Sequence, residues 1–402
     1  MIEVPVSAAL RRVAPSATIA VSAQARALAR EGRDIINLGV GEPDADTPAH
    51  IRSAAIAAIE AGHTRYTDVD GLPQLKEAVC KKFSRDNGLA YAPSEINVSP
   101  GAKTVIYNAL VATISAGDEV IIPAPYWVSY PDMVCLAGGS PVIVPTSTAT
   151  GLKLDAAGLE SAITERTRWL ILNSPGNPTG ACYSEEELRA LADVLLRHPH
   201  VWILSDDIYE HLLFDGLRFF TIAQVEPRLR DRTLTVNGVS KGYAMTGWRI
   251  GFGGGPEGLI RQMAKVMGQS TTNACTIAQW AAIAALDGPQ DFLAEQTVIF
   301  QRRRDLVFAA LAEAPGISCD LPQGAFYLFP SCSGVLGKRR ADGQLIQSDE
   351  DFVVQLLKHE GVAAVHGAAF GLSPHFRISY ALDDATLEEA CARIIGFCSR
   401  LQ

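Results

Sequence analysis

The chain has 402 residues, of which 48% are hydrophobic, 20% charged and 7% aromatic, and its formal net charge is -9. That make-up belongs to an ordinary globular protein long enough for two or three domains, and it excludes a disordered or fibrous chain. The acidic balance excludes nucleic-acid binding by phosphate neutralisation, and no stretch reaches the ~20 apolar residues of a membrane span or the apolar run of a signal peptide. The chain therefore reads as cytoplasmic, with no nucleic-acid or membrane partner.

From about residue 95 to 255, short apolar runs alternate with helical stretches: INVSP (96–100), EVIIP (119–123), PVIVP (141–145), WLILN (169–173), VWILS (201–205) and TLTVN (233–237). This rhythm predicts a mostly parallel sheet covered by helices. Between two of the runs, Ser184 and Glu187 have capping-box spacing and open a helix through Leu188, Leu191 and Leu195. After residue 290 the pattern changes to long helices, a pair of short strands around GISCD (316–320) and GAFYLFP (324–330), and an exposed loop over 333–344. A final helix carries Leu387, Cys391, Ile394 and Cys398 on one face. The fold class is α/β: a large domain on a mostly parallel central sheet over 46–290, a smaller α+β domain over 291–402, and residues 1–45 as an arm that joins the small domain. The eight cysteines include no C-x-x-C pair and no histidine at metal-ligand spacing, so neither a disulfide framework nor a metal site is expected and the thiols read as mostly buried.

Three predicted strand ends carry chemistry. TLTVN runs into Gly238-Val-Ser240-Lys241-Gly242, where small neighbours let a planar cofactor approach a lysine at the carboxyl end of a strand. VWILS runs into Asp206-Asp207-Ile208-Tyr209, a carboxylate and a phenol three residues apart, as a pyridine cofactor needs for its ring nitrogen and ring hydroxyl. WLILN runs into Ser174-Pro-Gly-Asn177-Pro-Thr-Gly180, whose asparagine can reach the same hydroxyl. Taken singly, each has an ordinary reading: a solvated lysine, a helix-capping aspartate beside a packed tyrosine, and a plain turn. Gly251–Gly255 lacks the G-x-G-x-x-G spacing of a nucleotide loop and is assigned no chemistry.

In this order and spacing, Asn177-Pro-Thr-Gly, Asp206-x-x-Tyr209 and Ser240-Lys241-x(7)-Arg249 resemble the class I aminotransferases of pyridoxal-phosphate (PLP) fold type I. Leu-Gly-x-Gly-Glu-Pro-Asp from Leu38, Tyr-Trp-Val-Ser-Tyr-Pro from Tyr126 and Met-Thr-Gly-Trp-Arg-Ile-Gly from Met245 extend the likeness to the bacterial aspartate aminotransferases of the branch that also contains prephenate aminotransferases. The resemblance covers nearly the whole chain. It implies pyridoxal 5'-phosphate as cofactor, Lys241 as the Schiff-base lysine and proton-transferring base, Asp206 rather than Asp207 as partner of the ring nitrogen, and Tyr209 and Asn177 as ligands of the ring hydroxyl. By the same likeness Gly101, Ala102, Lys103, Ser240 and Arg249 hold the cofactor and its phosphate, and Trp127 stacks on the ring. Tyr66 reaches the phosphate of a neighbouring subunit, making a homodimer with shared sites.

For substrate, Arg377 matches the fork that grips the α-carboxylate, with Gly41, Trp127 and Asn177 beside it. Ser16, Thr18 and Lys103 match the group for a distal carboxylate; Ser16 equally suits a helix cap, and Lys103 a phosphate ligand. One departure is Gly238, where many relatives place a serine three residues before the lysine. The resemblance thus implies amino acid and 2-oxo acid substrates, with aspartate and 2-oxoglutarate foremost and prephenate or aromatic amino acids as additional substrates. An aromatic aminotransferase and a carbon–sulfur β-lyase on the same fold are the alternatives, whereas a PLP-binding transcription regulator would need a DNA-binding extension.

Overall fold

The middle of the chain holds apolar runs four to seven residues long whose side chains are buried on both faces, the environment of a central sheet between helices. The computed structural model describes residues 4–402 and contains twelve strands among them. In chain order these are β1 (Ile36–Asn37), β2 (Ile96–Ser99), β3 (Glu119–Ala124), β4 (Ser140–Pro145), β5 (Thr167–Asn173), β6 (Trp202–Asp206), β7 (Thr233–Gly238), β8 (Gly251–Gly254), β9 (Tyr327–Leu328), β10 (Val362–Ala363), β11 (Val365–His366) and β12 (Phe376–Ser379). The main sheet has the order β2-β8-β7-β6-β5-β3-β4. All the pairings from β7 through to β4 are parallel, and β8 is antiparallel to both its neighbours.

Register decides where the chemistry meets. Asn173 pairs with Asp206, and Asp206 with Val236, so β5, β6 and β7 end side by side and release their three loops at one edge.

The strand β8 went unrecognised in the sequence, because three of its four residues are glycine and carry no pattern. Its glycines exist for packing. A Cβ on Gly251 would lie 2.0 Å from the backbone nitrogen of Ala102, and one on Gly253 would lie 2.8 Å from Val105 Cγ1, so the helix Ala102–Thr113 rests directly on the strand.

A second core gathers the C-terminal helices Asp291–Leu311, Asp349–Glu360 and Asp384–Ser399 around the small sheet β11-β12-β9, through Phe300, Val307, Phe352, Ile394 and Phe397. β1 pairs with β10, which draws the segment before residue 40 into this half. The helix Glu185–Arg197 opens with both capping-box bonds: Ser184 Oγ accepts from the Glu187 amide at 3.2 Å, and Glu187 accepts from the Ser184 amide at 2.8 Å. In the last helix Leu387, Cys391, Ile394 and Cys398 are all buried.

Two expectations for this half need correction. GISCD is not a strand; it contributes one isolated bridge, Ser318 to Ser331, since the chain leaves the sheet after a single pairing. The 333–344 segment is not uniformly exposed, because a 3-10 turn over Ser333–Val335 buries Val335 and Arg339 bridges Leu345. The eight thiols are free; five are buried, and Cys275 is exposed. Among the described residues no helix is long and apolar enough to cross a membrane.

Candidate active site

The carboxyl ends of β5, β6 and β7 open into a cavity of about 440 Å³. The N-terminus of helix Ala102–Thr113, the loop Gly39–Gly41, the helix Ala17–Arg30, Tyr327 and Arg377 close it from the other sides. Lys241, Asp206, Tyr209, Asn177, Ala102, Lys103, Trp127, Ser240, Arg249, Gly41, Arg377 and Thr18, all singled out in the sequence, line this one space.

Lys241 stands in the turn after β7, and its ammonium donates to the Gly41 carbonyl at 2.6 Å. Burial, with the nearby positive charges of Arg377 and Arg249, pushes its pKa down to about 8 against the opposing pull of Glu42 and Asp206. Asp206 is the last residue of β6. Its Oδ2 accepts from the Tyr130 hydroxyl at 2.6 Å, while Oδ1 is buried without a hydrogen-bond partner among the described residues. Burial lifts this carboxyl to about 6, even though Tyr130, the Ile208 amide and Lys241 all favour its charged form. Asp207 does not line the cavity; it accepts from Ser205 Oγ at 2.7 Å beneath the sheet edge. Strand alternation sends the two neighbouring carboxylates to different places.

Tyr209 shares a 2.8 Å hydrogen bond with the hydroxyl of Tyr327. Arg377, on β12, donates one Nη to Asn177 Oδ1 at 2.8 Å and the other to the Gly39 carbonyl at 2.7 Å. Its Nε is buried without a partner among the described residues, and its guanidinium lies 4.5 Å from the Tyr327 ring centroid. A buried, stacked guanidinium so held presents a planar fork to a carboxylate.

On the opposite wall Gly101 caps helix Ala102–Thr113, and a Cβ there would lie 2.3 Å from an Nη of Arg249. The helix amides and this guanidinium make an anion cradle. Lys103 Nζ sits 4.7 Å over the Trp127 ring, its pKa lowered by burial and then by Arg249, with no carboxylate among the neighbours that set it. Ser16 holds the N-cap position of helix Ala17–Arg30 and bonds Thr18 Oγ1 at 2.9 Å, so its hydroxyl reaches the cavity only through Thr18. Tyr66 is not brought to the cleft by this chain: it is 87% exposed and borders a separate depression with Arg65 and Asn273.

The departure at Gly238 has a local cause. A Cβ there would stand 3.0 Å from the Ile250 carbonyl and 3.1 Å from Gly251 Cα, so the close pairing of β7 with β8 makes a serine a tight fit that the neighbouring backbone must yield to by a few tenths of an ångström. Two site residues were missed in the sequence. Tyr130 lies in the quoted Tyr-Trp-Val-Ser-Tyr string, three residues after Trp127, and that spacing was a usable signal. Tyr327 carried none, since only the folding of β9 against Tyr209 gives it a role.

A buried lysine with a lowered pKa, a carboxylate with one oxygen unpartnered among the described residues, an anion cradle and a carboxylate fork around one cavity define an enzyme site. The family model for aminotransferases of class I and II matches residues 33–394, and the chain belongs to that family. It is 61% identical to the aspartate/prephenate aminotransferase of Cereibacter sphaeroides over 98% of both chains. Among solved structures it is similar to the aspartate aminotransferase from Rhizobium meliloti (53% identity, all of both chains, TM-score 0.97). It is also similar to that from Thermus thermophilus with maleate (41% identity, 98% of this chain and 100% of the other, TM-score 0.91).

Proposed function

We propose that the chain is a pyridoxal 5'-phosphate-dependent aminotransferase that moves amino groups between aspartate or glutamate and the matching 2-oxo acids. The carrying observation is Asp206 Oδ1, a buried carboxylate oxygen with no hydrogen-bond partner among the described residues, in the same cavity as Lys241 and the anion cradle. Such a group costs free energy unless something completes it, and a protonated pyridine nitrogen does so. The residues present fit the cofactor: Gly101, Ala102, Lys103, Ser240 and Arg249 for its phosphate, Tyr209 and Asn177 for its ring hydroxyl, Trp127 for its face. When bound, it supplies an electron sink for the substrate α-carbon.

The chain's own residues do the rest. Lys241, poised near 8, gives up and regains a proton close to neutral pH and carries it to and from the α-carbon. Arg377 holds the α-carboxylate in its fork, and Asn177, Gly41 and Trp127 border the same space. Thr18 and Lys103 receive the distal carboxylate, with Ser16 orienting Thr18; maleate, the ligand named with the Thermus neighbour, is likewise a dicarboxylate. The exposed Tyr66 supports a homodimer in which each chain completes the other's cradle. The pairing of β1 with β10 supports dividing the chain into an arm over 1–45, a large domain over 46–290 and a small one over 291–402. The absence of a membrane-crossing helix among the described residues agrees with a cytoplasmic enzyme.

The test is a panel of amino donors with 2-oxoglutarate, read as glutamate formed. Aspartate should lead, and Lys241→Ala should lose at least about 10³-fold in kcat. Comparable turnover by the Ala variant would refute the assignment.

A further inference from the structure

Directly after Tyr209 the chain turns, with the Glu210 amide donating to the Asp207 carbonyl at 3.0 Å and the Leu212 amide to the Tyr209 carbonyl at 2.8 Å. Tyr209 thus sits on a turn, outside any helix or strand. What holds the turn is a charged cluster inside the protein. Glu210 and Lys82 are both buried and form an ion pair; Lys82 also donates to Asn87 Oδ1 at 2.6 Å, and Asn87 donates back to Glu210 at 2.5 Å. Lys82 and Asn87 belong to the helix Pro73–Asn87. His211 follows, with Nε2 3.2 Å from Glu210 and 3.8 Å from Asp86, and Arg85 pairs with Asp86 at the cluster's edge. Asp86, Glu210 and His211 lie close enough together to suit a metal ion, but the Lys82 ammonium already supplies the cation.

His211 carries the cluster to the lysine loop. Its ring fills the space beside Gly242, where a Cβ would come within 3.2 Å of His211 Cδ2, and it meets the Tyr243 ring edge-on at 6.1 Å. Its carbonyl accepts from Thr297 at 2.8 Å, and Tyr243 donates to Gln290 at 2.6 Å. The two cofactor-facing segments, Asp206–Tyr209 and Ser240–Lys241, are therefore tied to each other behind the cavity as well as across it.

We propose that Lys82, Asn87, Glu210 and His211 form a positioning unit that sets the placement of the Tyr209 hydroxyl relative to Lys241. This rests on the function proposed above. None of the four side chains lines the cavity, so the unit acts through Tyr209 and Lys241. A buried ion pair is a poor device for stability, because apolar residues of similar volume commonly serve as well or better; it does fix geometry.

That contrast makes the test. The variant Lys82→Met/Asn87→Leu/Glu210→Met removes the ion pair and the amide together and leaves His211 Nε2 facing only Asp86, 3.8 Å away. A purely structural role moves at most its thermal midpoint and leaves its cofactor absorbance titration and kcat as in the wild type. The positioning role predicts a folded protein that binds PLP, whose titration midpoint moves by more than about half a pH unit. It also predicts a fall in kcat of about 10- to 100-fold, with KM for aspartate within about threefold.

His211→Ala removes the ring beside Gly242 and leaves Lys82 and Glu210 paired, so it decides the matter if the triple variant does not fold. It should shift the titration in the same sense with a smaller loss of kcat. Wild-type titration and kcat in a folded triple variant, or failing that in His211→Ala, overturn the positioning unit alone. Full turnover by Lys241→Ala would overturn the function on which it rests.

Discussion

Replacing Asp206 by asparagine should stabilise the cofactor-free protein while crippling it as an enzyme. The folded state lifts this carboxyl to about 6, chiefly by burial, against about 3.9 in an unfolded chain. A raised carboxyl pKa means that the folded form holds its proton longer. Stability from this group is thus fully present below about pH 4 and is lost as pH rises through 6, amounting to about two units or ~3 kcal/mol by pH 8. Asparagine keeps the shape and the bond from Tyr130 but never ionises. The attraction of Lys241 is already contained in the value of about 6, so asparagine recovers most of this amount, about 2–3 kcal/mol. For a chain of 402 residues that is a rise of about 2–4 °C in Tm. Scanning calorimetry of cofactor-free wild type and Asp206→Asn at pH 4.5 and pH 8 reads the effect: a gain at pH 8 that falls to about a third at pH 4.5. Adding PLP should reverse the order at pH 8, because only the carboxylate completes a pyridinium. A variant no more stable than wild type at pH 8, or equally stabilised at both pH values, would refute the argument that Asp206 is a costly buried charge awaiting a partner.

Lys103→Ala should lower kcat/KM for aspartate by ~10- to 1000-fold, about 1.4–4 kcal/mol, and much less for phenylalanine at saturating PLP; an unchanged ratio between the donors would assign Lys103 to the phosphate alone. Gly251→Ala drives a Cβ to 2.0 Å from the Ala102 nitrogen and should cost about 3 kcal/mol or more of stability while weakening PLP retention, as melting and cofactor release would show. Hybrids of a Lys241→Ala chain with a Tyr66→Phe/Arg249→Ala chain should regain part of the activity that neither parent has, and verified heterodimers without activity would exclude shared sites.

The parts of this protein legible without coordinates are those encoded by local pattern. Apolar runs four to seven residues long and bounded by turn residues mark strands of a covered sheet, and Ser184 with Glu187 closes its capping box within one turn. Lys241, Asp206, Tyr209 and Asn177 were legible because the chemistry sits where strands end, and strand ends are marked by glycine, proline and polar residues. Folding decided what depends on contacts between distant segments. β8 is a strand only because helix Ala102–Thr113 and β7 press against backbone that has no side chains to announce it. Asp206 rather than Asp207 faces the cavity through strand alternation, and Tyr130 fills one of its oxygens. Tyr327 reaches Tyr209 across 118 positions of sequence, and Lys82 reaches Glu210 from a helix more than a hundred residues earlier. Such groups gain their pKa values and roles from burial and from partners, which exist only once the chain has closed on itself.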